Sequence, residues 1–348
     1  MVMQLEHEKV LVSTGSRSGL PVIVAVHSTA LGQAVGGCRM WRYDDWSLGL
    51  QDALRLSSAM TMKCALAGLP LGGGKSVIAL PHDVDLTPAL RRDVLHDLGD
   101  LIESLGGSYG VGEDVGTTAE DMAVIGERTP YAYGQPESAG GSGEPSAPTA
   151  LGVYESLRVT CERLFGTSDL AGRTVSVLGL GQVGSRLAER LAAEGAKLTV
   201  TDIDTSKQAV AQQLGADWVD LEAAALAEVD VLVPAALGGL LTDELVPRLR
   251  CRSVVGPANN QLATDDVAEL LAREGVLWAP DYLVNAGGVV SGFHLELGSR
   301  DPEVAHAAVS AIGTTLRDVY DRADADGVTP LAAARSVALD RIAHARRG

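Results

Sequence analysis

The run Thr174-Val175-Ser176-Val177-Leu178-Gly179-Leu180-Gly181-Gln182-Val183-Gly184 decides the fold. An apolar, β-branched pentapeptide leads into G-x-G-x-x-G, and the helical stretch Val183 to Glu194 follows. A second apolar run, Lys197 to Thr201, then ends at Asp202. This strand–turn–helix–strand order, with an acid ~20 residues past the glycines, predicts a mononucleotide-binding βαβ unit. Gly179 serves the turn, Gly181 the close approach of a pyrophosphate and Gly184 the packing of helix on strand. Gln182 and Val183 join these glycines as cofactor-binding candidates at the helix N-terminus, which favours negative charge. Asp202 is placed to take the adenosine ribose hydroxyls and, with Asp204 nearby, to repel a 2′-phosphate, so the expected cofactor is NAD.

Toward the C-terminus, the short apolar runs Val229 to Val233, Ser253 to Gly256 and Val276 to Ala279 alternate with helical stretches, as a doubly wound parallel sheet requires. The tail Val304 to Arg347 reads as helical throughout. Toward the N-terminus, Pro21 to Val26 reads as a strand, Leu31 to Gly37 as a loop, and Leu48 to Ala67 as a helix stopped by Gly68. The glycine-rich segment Gly68 to Lys75 runs into a strand at Ser76 to Leu80. A helix follows over Pro88 to Leu105, then a glycine-punctuated turn region, Gly106 to Gly116, holding Glu113 and Asp114. Gly134 to Pro148, rich in Gly, Ser and Pro, reads as a flexible hinge. The expected architecture is α/β with two domains. Residues 1–135 form a substrate-binding and oligomerisation domain, residues 149–317 a Rossmann domain, a cleft lies between them, and helices from about 318 to 348 pack back on the first.

The 348 residues, 46% hydrophobic and 21% charged, suit two globular domains. A formal charge of −17 opposes nucleic acid and anionic membranes, so any anionic ligand must be held by local groups. Apolar runs are too short for the ~20 residues of a membrane span, and Met1 to Val10 carries acids where a signal peptide would be basic. A cytoplasmic protein is expected. Cys38, Cys64, Cys161 and Cys251 are far apart and read as buried thiols, the seven histidines are scattered, and no metal site is expected.

Two lysines bracket the glycine segment, Lys63 in the last turn of its helix and Lys75 after Gly72-Gly73-Gly74. Three glycines let a main chain press close to a ligand, and a lysine leaving that turn inside a cleft loses water and becomes a usable acid or base. A phosphate-binding P-loop is the competing reading. It fails by one residue of spacing and because Lys75 opens a strand rather than a helix.

Together these residues resemble the glutamate/leucine/phenylalanine/valine dehydrogenase superfamily, nearest its branched-chain and aromatic members. The resemblance runs from Val22 to about Leu339. It is carried by Gly36-Gly37-Cys38-Arg39-Met40, Met60-Thr61-Met62-Lys63, Gly68 to Ile78, Glu113-Asp114-Val115-Gly116-Thr117, Gly256 to Leu262 and Ala279 to Gly288. It implies reversible oxidative deamination of an L-amino acid with NAD and water, giving a 2-oxo acid, ammonia and NADH. It implies that Lys63, the Gly37 backbone and the Asn285 side chain bind the substrate carboxylate. Lys75 activates the attacking water, and Asp114 exchanges a proton with the amino nitrogen. Thr149 is implied to contact the nicotinamide amide and Asn259 the cofactor ribose, with Ala235 lining the same site. A homo-oligomer, a dimer or larger, is implied as well.

Val35 and Ser76 stand where glutamate-specific relatives carry lysine and glycine, so an apolar side-chain pocket is expected. Gly112 leaves room for a large or aromatic side chain, while Val309 and Ile312 suit branched aliphatics, and the choice between phenylalanine and leucine or valine stays open. Three alternatives compete: a catalytically silent NAD-binding regulator, a dehydrogenase of an unusual aromatic amino acid, and a 2-hydroxy acid dehydrogenase, which would need a histidine paired with an acid.

Overall fold

A computed structural model describes residues 6–236 and 238–347. Residues 1–5, which open the acidic N-terminal segment, lie outside the described residues. The chain forms two compact units. The first holds the described residues up to Glu144 with Gly292–Asp301 and those from Ala338 on; the second holds Pro145–Ser291 and Pro302–Val337.

The first unit is built on five strands, β1 (Lys9–Thr14), β2 (Pro21–Ser28), β3 (Ala34–Arg42), β4 (Gly72–Leu80) and β5 (Tyr109–Glu113), in the order β1-β2-β4-β3-β5. β3, β4 and β5 run parallel, and β2 is antiparallel to β1 and β4. Helix α1 (Trp46–Leu66) covers one face; α2 (Pro88–Glu103) and α3 (Ala119–Gly126) cover the other. The two-residue period of a strand sorts the side chains. Ile23, Ala25, Val77 and Ala79 join Ala53 under α1, while Val22, Val24, Val26 and Ile78 join Val94, Leu95 and Leu98 of α2. A sheet covered on both faces explains why β2 and the end of β4 read as unbroken apolar runs.

Several expectations needed correction. Leu31 to Gly37 is not a loop throughout, because β3 begins at Ala34, and the turn region Gly106 to Gly116 contains β5. The glycine run belongs to β4, so Lys75 is a mid-strand residue rather than the first. Glycine weakens a strand on propensity alone, yet here bare backbone is required. A Cβ on Gly36 would stand 1.8 Å from the Gly74 carbonyl oxygen, and one on Gly73 2.1 Å from the Thr61 nitrogen of α1. Gly134 to Pro148 is not a slack linker either. The Glu296 carboxylate accepts hydrogen bonds from the backbone N–H of Gly134 and Ser142, both 2.9 Å, and from the Ser142 hydroxyl.

The turn between β1 and β2 is pinned to α2 by a buried carboxylate. Asp97 accepts from the Ser18 hydroxyl (2.7 Å), the Ser18 N–H (2.9 Å) and the Arg17 guanidinium (3.0 Å). Burial would raise its pKa, but the Ser18 contacts and Arg17 outweigh burial and hold it below 3.8. We expect Asp97→Ala to lower unfolding stability by about 3 kcal/mol in neutral urea melts. Because the native pKa is the depressed one, the wild-type advantage is complete above the ordinary aspartate value and fades as pH falls through the native value.

In the second unit, α4 (Ser146–Phe165) precedes a wholly parallel sheet of β6 (Thr174–Leu178), β7 (Lys197–Thr201), β8 (Asp217–Trp218), β9 (Val231–Pro234), β10 (Ser253–Val254) and β11 (Leu277–Trp278). Its order, β11-β10-β9-β6-β7-β8, is that of the doubly wound dinucleotide fold, with the reversal between β6 and β9. The tail is not one helix. Pro302–Asp326 and Pro330–Ala345 are separated by Gly327, whose φ of 64° breaks the first. The chain rejoins the first unit at Ala338 rather than near 318. All four cysteines are free and buried.

Candidate active site

Strand parity gathers the first unit's candidates on one face. Lys75 alternates with Val77 and Ala79, so it points toward α1, the helix that carries Lys63 in its last turn. Gly37 pairs with Gly112, and Val35 with Gly73, bringing these positions alongside. Asp114 follows the end of β5, one strand beyond β3. Its carboxylate crosses β3 to reach Lys75 on β4, where Oδ2 lies 2.8 Å from Nζ. Lys75 is 5% exposed, so this ion pair is largely removed from water.

Gly37 makes the crossing possible. A Cβ there would stand 2.6 Å from the Asp114 Cβ and 2.6 Å from the Glu113 carbonyl oxygen. We expect Gly37→Ala to displace Asp114 and lower kcat by about 10²-fold. In the double variant Asp114→Asn should add little further loss, which a steady-state double-mutant cycle checks.

The turn after β5 fixes Asp114 from the other side. The Thr117 hydroxyl donates to the Cys38 carbonyl (2.8 Å) and accepts from the Asp114 N–H (3.0 Å). Gly116 takes φ 85°, where a Cβ would stand 1.9 Å from the Met40 carbonyl oxygen. Arg39 of β3 also meets Asp114 Oδ2, through Nε at 3.3 Å. Burial raises the Asp114 pKa, but Lys75 first and Arg39 next more than reverse this and hold it below the usual aspartate value. Beside it, the Glu113 carboxyl is pushed up, by burial first and then by Glu144 and Glu120. A Cβ on Gly112 would meet nothing closer than the Tyr133 carbonyl oxygen at 3.9 Å, so this part of the face has room.

In the second unit, Gly179 takes φ 111°, with Ala235 and Ala236 against it, and a Cβ on Gly184 would stand 2.0 Å from the Gly179 carbonyl oxygen. Gly181 is the N-cap of α5 (Gln182–Ala193), which no side chain caps, and the space where its Cβ would stand is open to 4 Å. Bare donors facing open space at the sheet's switch point fit a pyrophosphate. Asp202 accepts from the N–H of Leu180 (2.6 Å) and of Asp204 (2.8 Å), which ties the acid to the glycine loop.

Thr149, near the start of α4, donates to the Pro145 carbonyl at 2.8 Å. Its hydroxyl lies 3.1 Å from where a Cβ on Gly288 would stand, beside the segment that follows Asn285. Val309 and Ile312 are buried, Ile312 against Gly152.

Asn285 is tied to the segment that follows β10. Its amide nitrogen donates to the Pro257 carbonyl (3.1 Å) and to Asn259 Oδ1 (2.8 Å). Pro257 can only accept, which fixes the amide's orientation. The atom left buried without a partner is Oδ1, an acceptor. Both amide hydrogens of Asn285 are thus engaged by the segment that follows β10.

Sequence reasoning assigned no role to Arg39 or Thr117. Both lie inside the stretches that carried the resemblance, but only the fold shows that they converge on Asp114. Histidines meet carboxylates at His82–Asp44, beyond the end of β4, and at His96–Glu127, on the α2 side. Neither is on the face with Lys75. Among the described residues, no group of three or more His, Cys, Asp or Glu is placed to hold a metal ion, and no helix is long and apolar enough to cross a membrane.

Known proteins are similar to this chain in sequence and in fold. Residues 4–131 match the Glu/Leu/Phe/Val dehydrogenase dimerisation domain, and residues 199–348 match the Glutamate/Leucine/Phenylalanine/Valine dehydrogenase family. A phenylalanine dehydrogenase of Bacillus thermotolerans is 40% identical over 97% of this chain and 88% of its own length. A leucine dehydrogenase of Bacillus cereus is 40% identical over 97% and 91%. The crystal structure of L-tryptophan dehydrogenase from Nostoc punctiforme superposes with a TM-score of 0.85 at 34% identity, covering 99% of this chain and 98% of that one. The class is therefore an oxidoreductase acting on amino acids. The chain belongs to the Glu/Leu/Phe/Val dehydrogenase family.

Proposed function

We propose that this amino-acid dehydrogenase catalyses the NAD-dependent, reversible oxidative deamination of a hydrophobic L-amino acid to its 2-oxo acid and ammonia. The observation that carries the reading is the 2.8 Å Lys75–Asp114 pair on the face covered by α1. The first unit is assigned the substrate and the proton chemistry, the second the nucleotide. The glycine loop and the start of α5 would hold the pyrophosphate, Asp202 the ribose hydroxyls, and Thr149, Ala235 and Asn259 the remaining contacts. When bound, the nucleotide supplies the hydride acceptor.

Lys63 and the Gly37 backbone N–H hold the substrate carboxylate. Lys75, entering as the amine, takes a proton from the water that adds to the substrate's imine carbon; as ammonium it then stabilises the new hydroxyl. That proton passes over the ion-pair contact to Asp114, which delivers it to the amino nitrogen; Lys75, an amine again, takes the hydroxyl proton as the C–N bond breaks, so that the 2-oxo acid and ammonia leave. The same groups run the reverse direction.

Hydrophobic substrates are favoured by Val35, buried in the α1 face, and by the room at Gly112. The similarity to phenylalanine, leucine and L-tryptophan dehydrogenases supports this class without ranking its members. Asp202 and Asp204 favour NAD over NADP by like-charge repulsion of a 2′-phosphate. A small-molecule enzyme of this kind, working in the cytoplasm as a homo-oligomer, fits the acidic surface and the named dimerisation domain. The test is initial rates with leucine, valine, phenylalanine, tryptophan and glutamate, each with NAD and with NADP. We expect apolar substrates with NAD to exceed glutamate and NADP by at least ~10²-fold in kcat/KM. Preference for glutamate or for NADP would overturn the respective assignment.

A further inference from the structure

Lys75 cannot hold Asp114 ionised throughout the reaction proposed above. It has to shed its charge to take a proton from water, and at that moment the nearest cation to the Asp114 carboxylate is gone. Arg39 has no such obligation, because a guanidinium keeps its charge at every working pH. Its fork meets two acids at once, with Nε 3.3 Å from Asp114 Oδ2 and Nη1 2.9 Å from Asp52 Oδ2. Asp52, on α1, is itself held by the Tyr43 hydroxyl and by Arg55, both at 2.9 Å. Arg39 thus has a fixed post on the helix that covers the site.

We propose that Arg39 is a positioning residue, anchored through Asp52, that supplies a constant positive charge to Asp114 and fixes its carboxylate toward Lys75 while the lysine's own charge changes. This rests on the deamination reading and deepens it. A lysine at position 39 would keep the charge but could not serve both carboxylates. The groups acting on Asp114 are Lys75 from β4 and Arg39 from β3, with Asp52 of α1 acting on Arg39. Cys38 and Tyr109 lie on the opposite face; burial pushes the Cys38 thiol up to about 12 and raises the Tyr109 phenol, so both stay neutral.

The test is the pH dependence of kcat and KM for the full chain with NAD and its best hydrophobic amino acid, in wild type, Arg39→Gln, Arg39→Lys and Asp114→Asn, with melting temperatures alongside. Arg39→Gln should keep KM within about twofold, lower kcat about tenfold and move the acid limb of kcat up by about one pH unit. Arg39→Lys should restore the limb while kcat stays reduced. A merely structural arginine would lower the melting temperature and leave the limb in place, which overturns the proposal. Should Arg39→Gln not fold, Arg39→Lys decides: a wild-type kcat refutes positioning, and a reduced kcat on an unmoved limb supports it. Normal turnover in Asp114→Asn would sink the deamination reading and this inference with it. An inactive Asp114→Asn beside an unshifted Arg39→Gln would sink only this inference.

Discussion

Replacing Lys75 with alanine should reduce kcat by about 10³-fold or more while nucleotide affinity stays at the wild-type value. Lys75 is buried in the middle of β4 in the first unit, whereas the glycine loop and Asp202 belong to the second, so the substitution removes the amine without touching the nucleotide cradle. It also deprives Asp114 of its principal counter-charge. Two functions therefore fail together, the activation of water and the onward transfer of its proton. Steady-state rates and fluorescence titration of the nucleotide check both halves. Turnover within tenfold of wild type would show that another group takes the proton; lost nucleotide affinity would break the division of labour between the units.

The second large effect is expected at Asp114→Asn, with kcat falling by about 10² to 10⁴-fold. Asparagine fills the same space above Gly37 and still meets Lys75, so the loss reports proton transfer rather than packing. The pH profile separates the two. Lys75 and Arg39 hold the native carboxylate below 3.8, so the ionised form persists at neutral pH and is lost only as pH falls through that lowered value. The asparagine variant should show residual activity without this acid limb. An unchanged limb would assign the limb to another group.

The nucleotide-binding half was legible because its signals are local. Thr174–Leu178 and Lys197–Thr201 are strands with the boundaries read from sequence, since an apolar run flanked by glycine turns leaves little else for the chain to do. In the first unit, β3 and β5 were hidden by their glycines. Gly36, Gly37 and Gly110 look like loop residues until the neighbouring backbone, Tyr133 and Asp114 are seen crowding them or needing passage. Lys75 and Asp114 were legible as chemistry but not as a pair, because nothing local says that two strands lie one apart. The bridge from Arg39 to Asp52 was invisible for the same reason. The contacts of Asn285 with Pro257 and Asn259 were equally out of reach, since those partners lie far away in sequence.

The most direct measurement counts ammonia and reduced nucleotide released from NAD and a single hydrophobic L-amino acid, in wild type and in Lys75→Ala. Oxidative deamination predicts that the two products appear one for one in wild type and that both disappear in the variant. Reduced nucleotide without ammonia, or equal yields from the variant, would contradict the assignment of Lys75 and Asp114 to deamination.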